Sequence, residues 1–490
     1  VKPIRLVAVE PTPIYAIKDG TIKNVGTASN FVEMPAGVTN TTVSWKNNSQ
    51  PSTAIAEKTH KTVTVSADGY TSTEVDVPVT VYPKVTYRKV DGKEVKEYHE
   101  IVGQPLTSSL VPGGGRFNPV TPDYYIAFEN GTKPAGTTIA FKNGTPTSTE
   151  AGESTHTIVV TYPHQAGTVE KTVTFKTYGN KAKLETGKNY SAETTVGKAF
   201  EKTSAGDYVE LSNSTLKNPS GTLFGWGNGY DSPNPANKEQ STIGLREENV
   251  NVWYGKDVMN ARGDGTNNYS DQNVKVILAV KPQPPTLTAN QFQGKAGTTP
   301  EITVSNLPTA NQLEGNARVT VELYQGGNKV ASKELSRDEV TNGAGSFHFD
   351  TTNYTSNLTL GEKVHAVVKV EGGSGTTAYN LSSANSNDVQ VTPQKPTFDA
   401  TAVTSTSRTL SGTLGGFDDA NKVVEVHLND EHNTVLSSAN TGEVTITGDK
   451  WTAKLPDNVK LRQSVAKNGE TAKPSGITVE NKVAGTTIST

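Results

Sequence analysis

Val63 and Val65, then Val75, Val77, Val79 and Val81, alternate with polar residues or proline. A period of two marks strands that bury one face. The same pattern returns in Val319-x-Val321-x-Leu323, Val364-x-Ala366-x-Val368-x-Val370 and Val424-x-Val426-x-Leu428. Helical periodicity is nearly absent. Ser336-Arg337-Asp338-Glu339-Val340 predicts one helical turn, because the Ser336 hydroxyl can accept from the free N–H three residues on. Asp68-Gly69, Asp91-Gly92, Asn130-Gly131, Asn143-Gly144 and Asn468-Gly469 supply the positive φ of tight hairpin turns. Short strands with turns at this spacing predict an all-β protein built of sandwiches.

The pattern also repeats at long range. Trp45-Lys46-Asn47 returns as Phe141-Lys142-Asn143, Thr59-His60 as Thr155-His156, and Val77, Val79 and Tyr82 as Val173, Phe175 and Tyr178, all at an offset of 96 residues. On this reading His60 and His156 are equivalent positions with a structural role. Strands that stop at Tyr82-Pro83, Tyr178-Gly179, Lys281-Pro282 and Thr392-Pro393, together with the proline-rich linkers 282–286 and 393–397, mark boundaries. The expectation is five tandem modules: 1–83, 84–178 as a repeat of the first, 179–282 as a divergent one, 283–393 and 394–490. Stacked end to end they would make a monomeric rod of about 150–200 Å.

Composition narrows the class. The 490 residues suit three to five domains of about 100–150 residues. Lys and Arg number 46 against 49 Asp and Glu, and a net charge of −3 attracts neither nucleic acid nor an anionic membrane. There is no cysteine, which excludes disulfides, thiolate metal sites and cysteine nucleophiles. The longest apolar run, Val276–Val280, is too short to span a bilayer. Val1 opens no secretion signal, so the chain reads as part of a longer one.

Ser154-Thr155-His156-Thr157-Ile158-Val159-Val160-Thr161-Tyr162-Pro163, followed by Gly167-Thr168-Val169, resembles the closing strands of Rib-type repeats. Residues 59–65 carry the same phrase more loosely. Lys395-Pro396-Thr397-Phe398, Thr409-Leu410-Ser411-Gly412-Thr413 and Trp451-Thr452-Ala453-Lys454-Leu455-Pro456 resemble bacterial Ig-like repeats, and so does the fourth module. Together these are similar to Gram-positive cell-wall-anchored adhesins. The resemblance implies an extracellular location at the bacterial cell wall, a non-enzymatic stalk or ligand-displaying role in attachment to host matrix, and no cofactor. It also implies that a Lys-to-Asn or Lys-to-Asp crosslink could stabilise a module. No sorting motif stands near Thr490.

Residues 179–282 break the repeat and hold two of the four tryptophans, in Phe224-Gly225-Trp226-Gly227-Asn228-Gly229-Tyr230 and Trp253-Tyr254. Their final strand and Phe224-Gly225-Trp226 resemble small β-grasp repeats of internalins. Trp226, Tyr230, Trp253 and Tyr254 are candidates for stacking on a glycan, since an aromatic face offers apolar surface with no charge to desolvate. The competing reading is that both indoles fill a core. Arg262-Gly263-Asp264, among Gly and Asn, is a candidate integrin tripeptide: Asp264 would complete a metal's coordination shell while Arg262 pairs with an acidic pocket. An ordinary solvated loop is the alternative. A receptor-binding region centred on 179–282, or accessory domains of a secreted polysaccharide-active enzyme, are thus the readings that compete with a stalk. No frame of nucleophile, base or metal ligands appears among the eight histidines. Asp418-Asp419 and Asp430-Glu431 could ligate calcium, but read more simply as turns.

Overall fold

The computed structural model describes residues 4–6, 8–103, 120–147, 149–227, 232–254, 271–288, 291–294, 301–401, 403–417, 419–463 and 475–490. The chain divides into two compact units, one of Val1–Lys183, Ser204–Pro233 and Asn249–Lys275, the other of Leu184–Thr203, Asn234–Glu248 and Val276–Thr490. Strands make up nearly all of the regular structure, as the two-residue period predicts. The helical turn forms at Arg337–Asn342: Ser336 accepts from the Glu339 N–H, and the Glu339 carboxylate returns to the Ser336 N–H. Asp91 and Gly92 both have positive φ and close the hairpin between Lys89–Val90 and Lys93–Glu94.

One arrangement occurs three times. In the first, Ile14–Ile17, Thr73–Tyr82, Lys58–Ser66 and Thr42–Trp45 lie side by side in that order, with Ile14–Ile17 parallel to Thr73–Tyr82 and the other pairs antiparallel. A two-stranded ribbon, Glu10–Pro11 with Val32–Glu33, accompanies that sheet. Val63, Val65, Val77, Val79 and Val81 point inward and are buried with Trp45 and Phe31. The second copy is Glu97–Ile101, Thr168–Tyr178, Gly152–Thr161 and Thr138–Phe141, with the ribbon Val85–Tyr87 and Ile126–Phe128.

Residues 179–282 hold the third copy. Ala192–Thr195, Asp271–Lys281, Gly244–Trp253 and Leu223–Trp226 follow the same order, again with a parallel first pair, and Asn180–Ala182 pairs with Val209–Leu211 as the ribbon. The break in the repeat expected here is therefore one of sequence and not of strand order. Each ribbon is entered through a 3-10 turn that ends on a buried aromatic followed by a β-branched residue: Phe31-Val32, Tyr125-Ile126 and Tyr208-Val209. That aromatic plugs the space between ribbon and sheet.

The offset of 96 fails in one strand. Trp45 lies opposite Val63, whereas Phe141 lies opposite Ile158, so this strand advances by 158 − 63 = 95 residues while its neighbours advance by 96. A one-residue slip turns every side chain to the other face. His60 accordingly points outward, 3.8 Å from the Asp76 carboxylate, while His156 points inward, its ring 4.9 Å from that of Phe175. The two histidines are not equivalent, and burial lowers the pKa of His156.

In the second unit, Gln291–Gly294 runs parallel to Val389–Pro393 within a larger sheet that also holds Lys363–Gly372, Arg318–Gln325, Asn328–Leu335 and Tyr379–Ser382. Beyond it, Thr409–Thr413, Lys450–Lys454 and Val444–Thr447 form one sheet, and Val435–Ser437, Lys422–His427, Thr478–Val483 and Thr486–Ser489 another. Trp451 is fully buried in the core of these last two sheets.

Candidate functional site

Alternation along Leu223–Trp226 turns Trp226 inward, where it is 6% exposed and its ring lies 5.1 Å from that of Tyr208. Tyr254 is fully buried. Its hydroxyl donates to Gln272 Oε1 at 2.6 Å and accepts from Asn180 Nδ2 at 2.8 Å. Gln272 Nε2 closes the group by donating to the Asn180 carbonyl at 2.9 Å. Desolvation pushes the Tyr254 hydroxyl up to about 12. The Tyr254 ring also lies 5.9 Å from that of Tyr178. Burial thus removes Trp226 and Tyr254 from the reach of a sugar: Trp226 packs on Tyr208 within the same stretch, and Tyr254 meets Tyr178 of the preceding one. Trp253 is half-buried over Gly225, where a Cβ would come within 2.8 Å of its ring. Tyr230 and Arg262-Gly263-Asp264 lie outside the described residues.

A second junction joins the first two sheet copies. His164, in the left-handed region at φ 56, stacks on Tyr15 with centroids 4.0 Å apart and shares a hydrogen bond of 2.9 Å with the Tyr82 hydroxyl. Tyr162 donates to the Pro83 carbonyl at 2.7 Å. Lys84 pairs with Asp19 at 2.7 Å and Lys18 with Glu129 at 2.9 Å. Strand patterns do not reveal such contacts, because the partners lie far apart along the chain. The proline linker 282–286 is likewise tied down: Gln283 Nε2 donates to the Val196 carbonyl at 2.9 Å, and Asn306 Nδ2 to the Pro284 carbonyl at 2.9 Å.

Several titratable groups outside these junctions occupy closed networks. Glu425, His427 and Glu480 approach one another closely enough to suggest a metal centre. Lys482, however, reaches Glu425 at 2.7 Å and Glu480 at 3.4 Å, so an ammonium already holds the position a cation would take. Both Asp430 oxygens accept from Thr434, at 2.7 and 2.6 Å, and Asp419 accepts from the Asn421 N–H at 2.7 Å, which makes these acids turn residues. Asp418 lies outside the described residues.

Glu322 is the buried carboxylate of the fourth segment. Burial opposes its charge, but Tyr324 donates to it at 2.5 Å and Lys329 and Lys369 each approach to 3.3 Å, and together they hold its pKa below the ordinary glutamate value. A depressed folded-state pKa stabilises above the unfolded value of 4.5 and loses that contribution as pH falls through the folded value. Thermal stability of the second unit should therefore fall as pH drops below the unfolded value of 4.5. Glu322→Gln should flatten that part of the profile in a pH series of melting curves; an unchanged slope would show that other acids dominate.

Sequence reasoning also missed an open concavity. A cleft of about 1050 Å³ lies along the 143–157 segment and is closed on one side by Asn213 and Thr215. Its lining is mostly hydroxyls, amides and the carboxylates of Glu150 and Glu153. It could admit a polar chain, and within its lining Ser154 Oγ and His156 Nε2 share a hydrogen bond of 2.9 Å. The threonine-rich run 145–157 was the only signal in the sequence.

No protein-family model matches the chain. It is similar to the extracellular matrix-binding protein Ebh of Staphylococcus aureus, with 29% identity over 223 residues, 45% of this chain and 2% of that protein. EbhB of another strain of the same species is 27% identical over 345 residues, 66% of this chain and 8% of that protein. The chain thus spans a small fraction of these relatives. A fragment of the ICAM-5 ectodomain aligns over 69% of this chain and 71% of its own at 12% identity, but with a TM-score of 0.22 the superposition is too loose to bear on the fold.

Proposed function

We propose that this chain is a non-enzymatic segment of a bacterial surface adhesin, five modules long, that carries binding regions outward and supports attachment to extracellular matrix. The observation that carries this reading is the threefold repetition of one sheet order with side chains locked across the boundaries, a construction suited to spacing. The similarity to matrix-binding relatives supports the adhesin context. Two of the candidate aromatics of 179–282, Trp226 and Tyr254, are buried and serve packing.

The test is binding of residues 1–490 to immobilised fibronectin, laminin, collagen, integrin ectodomains and a glycan array. The expected result is no saturable response. A saturable integrin response lost on Asp264→Ala would replace the spacer with a receptor-binding role. Saturable glycan or matrix-protein binding lost on Asn213→Ala would move that role to the hydroxyl-lined cleft.

A further inference from the structure

Four segments share a feature that spacing alone does not require: their first and last long strands are hydrogen-bonded neighbours, and parallel. Ile14–Ile17 pairs with Val79–Tyr82, Glu97–Ile101 with Thr174–Tyr178, Ala192–Thr195 with Leu278–Lys281, and Gln291–Gly294 with Gln390–Pro393. In the first three, the residue after the first strand adds one more bond to the end of the last strand. Lys18 donates to the Tyr82 carbonyl at 2.9 Å, Val102 to Tyr178 at 2.8 Å and Val196 to Lys281 at 2.9 Å.

We infer that these pairs are shear clamps that let the chain bear tension along its length. Tension enters the N-terminal end of the first strand and leaves the C-terminal end of the last. In a parallel pair those two ends lie at opposite ends of the ladder, so the strands are drawn past each other along their axes. Every rung is then strained together, and displacement by about one residue rise, ~3.3 Å, must break all of them at once. An antiparallel pair opened from its free end loses its rungs one by one. The last strand is also interior to its sheet: Thr73–Tyr82 has Lys58–Ser66 on its other side, and Thr168–Tyr178 has Gly152–Thr161. It cannot peel away before the clamp yields.

The fifth segment differs. Its first strand, Thr409–Thr413, and its last, Thr486–Ser489, belong to different sheets, and Thr486–Ser489 pairs antiparallel with Thr478–Val483. No parallel terminal pair joins them among the described residues. Under tension it should yield before the other four.

The biological use of a clamp rests on the adhesin reading, but its mechanics do not, so each can fail separately. The test is single-molecule stretching of the whole chain, which has no cysteine of its own and accepts handles at chosen sites. Handles at Lys93→Cys and Lys181→Cys load the second clamp in shear. Handles at Glu153→Cys and Lys176→Cys, opposite each other at the open end of an antiparallel pair, unzip the same sheet. The rupture force should be several-fold higher in the first geometry; equal forces would overturn the inference. Val102→Pro, which removes the donor to Tyr178, should lower the shear force and leave the unzipping force unchanged; an unchanged shear force would also overturn it. Pulled from its termini, the intact chain should release its first segment, Ile14–Tyr82, as a step of about 235 Å and its fourth, Gln291–Pro393, as one of about 360 Å, the extended length less the folded end separation, both after the fifth has opened.

Discussion

Trp451→Ala should unfold the last segment under conditions in which the rest of the chain stays folded. Trp451 is fully buried among Leu410, Val424, Val426, Leu428 and Leu436. Its indole N–H donates to the Thr397 carbonyl at 3.0 Å, which fixes the linker 393–397 against the core, and its ring stacks at 6.5 Å on Phe398. Truncation removes the largest side chain of that core and leaves a cavity, a loss of roughly 3–5 kcal/mol. It also strips the Thr397 carbonyl of its partner, which adds the cost of an unsatisfied acceptor. A module of this size holds roughly 5–15 kcal/mol in total, so at the lower end of that range the two losses remove nearly all of it. Denaturation followed by near-ultraviolet circular dichroism should show one transition move to low denaturant and the remainder stay in place. Gly412→Ala gives the same outcome by a different route: a Cβ there would stand 1.7 Å from the Thr397 carbonyl oxygen, and a backbone atom cannot give way as a side chain would. If either variant shifted every transition together, the last segment would not be an independent core.

The Trp451 phrase was read only as a resemblance to bacterial Ig-like repeats; strands were legible from alternation, and Lys450–Lys454 alternates in that way, with Trp451 and Ala453 buried. The strands of the first two segments were legible for the same reason. Register was not. The repeated Thr-His pair pointed to a constant spacing, but the buried pairs are Val63 and Val65 against Ile158 and Val160, which set the slip of one residue. Hydrophobic burial outweighs polar identity when a strand chooses its face. The third copy was hidden because strand order is carried by backbone pairing, which tolerates wide substitution at the same positions. Phe31, Tyr125 and Tyr208 do mark it, but a lone aromatic before a β-branched residue is too common a pair to be read as a repeat.

Little chemistry was legible in the sequence. With histidines scattered along the chain, no spacing pointed to Glu425, His427 and Glu480, which the fold brings together beside Lys482. The tryptophans were open to two readings, core or stacking surface, because Gly and Asn beside an aromatic look like an exposed loop. In the fold Gly225 is needed for another reason, close packing of the Trp253 ring. The junction residues Tyr15, Tyr82, His164, Asn180 and Gln272 could not be foreseen, since no local pattern says which side chains meet across a boundary.

The second large effect falls on Tyr125. Its ring is fully buried between ribbon and sheet, 4.8 Å from Tyr98 and nearly perpendicular to it, 5.6 Å from Phe175 and 5.8 Å from Phe141. Edge-to-face contacts of this kind each add about 0.5–1.5 kcal/mol beyond the area they bury. Tyr125→Ala should therefore cost roughly 3–5 kcal/mol in the second segment. The loss should not stay there. Tyr82, Tyr15 and Ile17 of the first segment pack into the same cluster as Tyr125, so a melted second segment exposes apolar surface of the first. Hydrogen exchange should show lost protection along Gly152–Thr161 and Thr168–Tyr178, together with weakened protection at Ile14–Ile17, while Lys58–Ser66, whose valines lie in the separate cluster around Trp45, keeps its protection. Tyr125→Phe, which keeps the ring, should restore most of it. Protection lost evenly over the whole first segment would mean that the two cores fold as one; protection unchanged at Ile14–Ile17 would mean that the boundary transmits nothing.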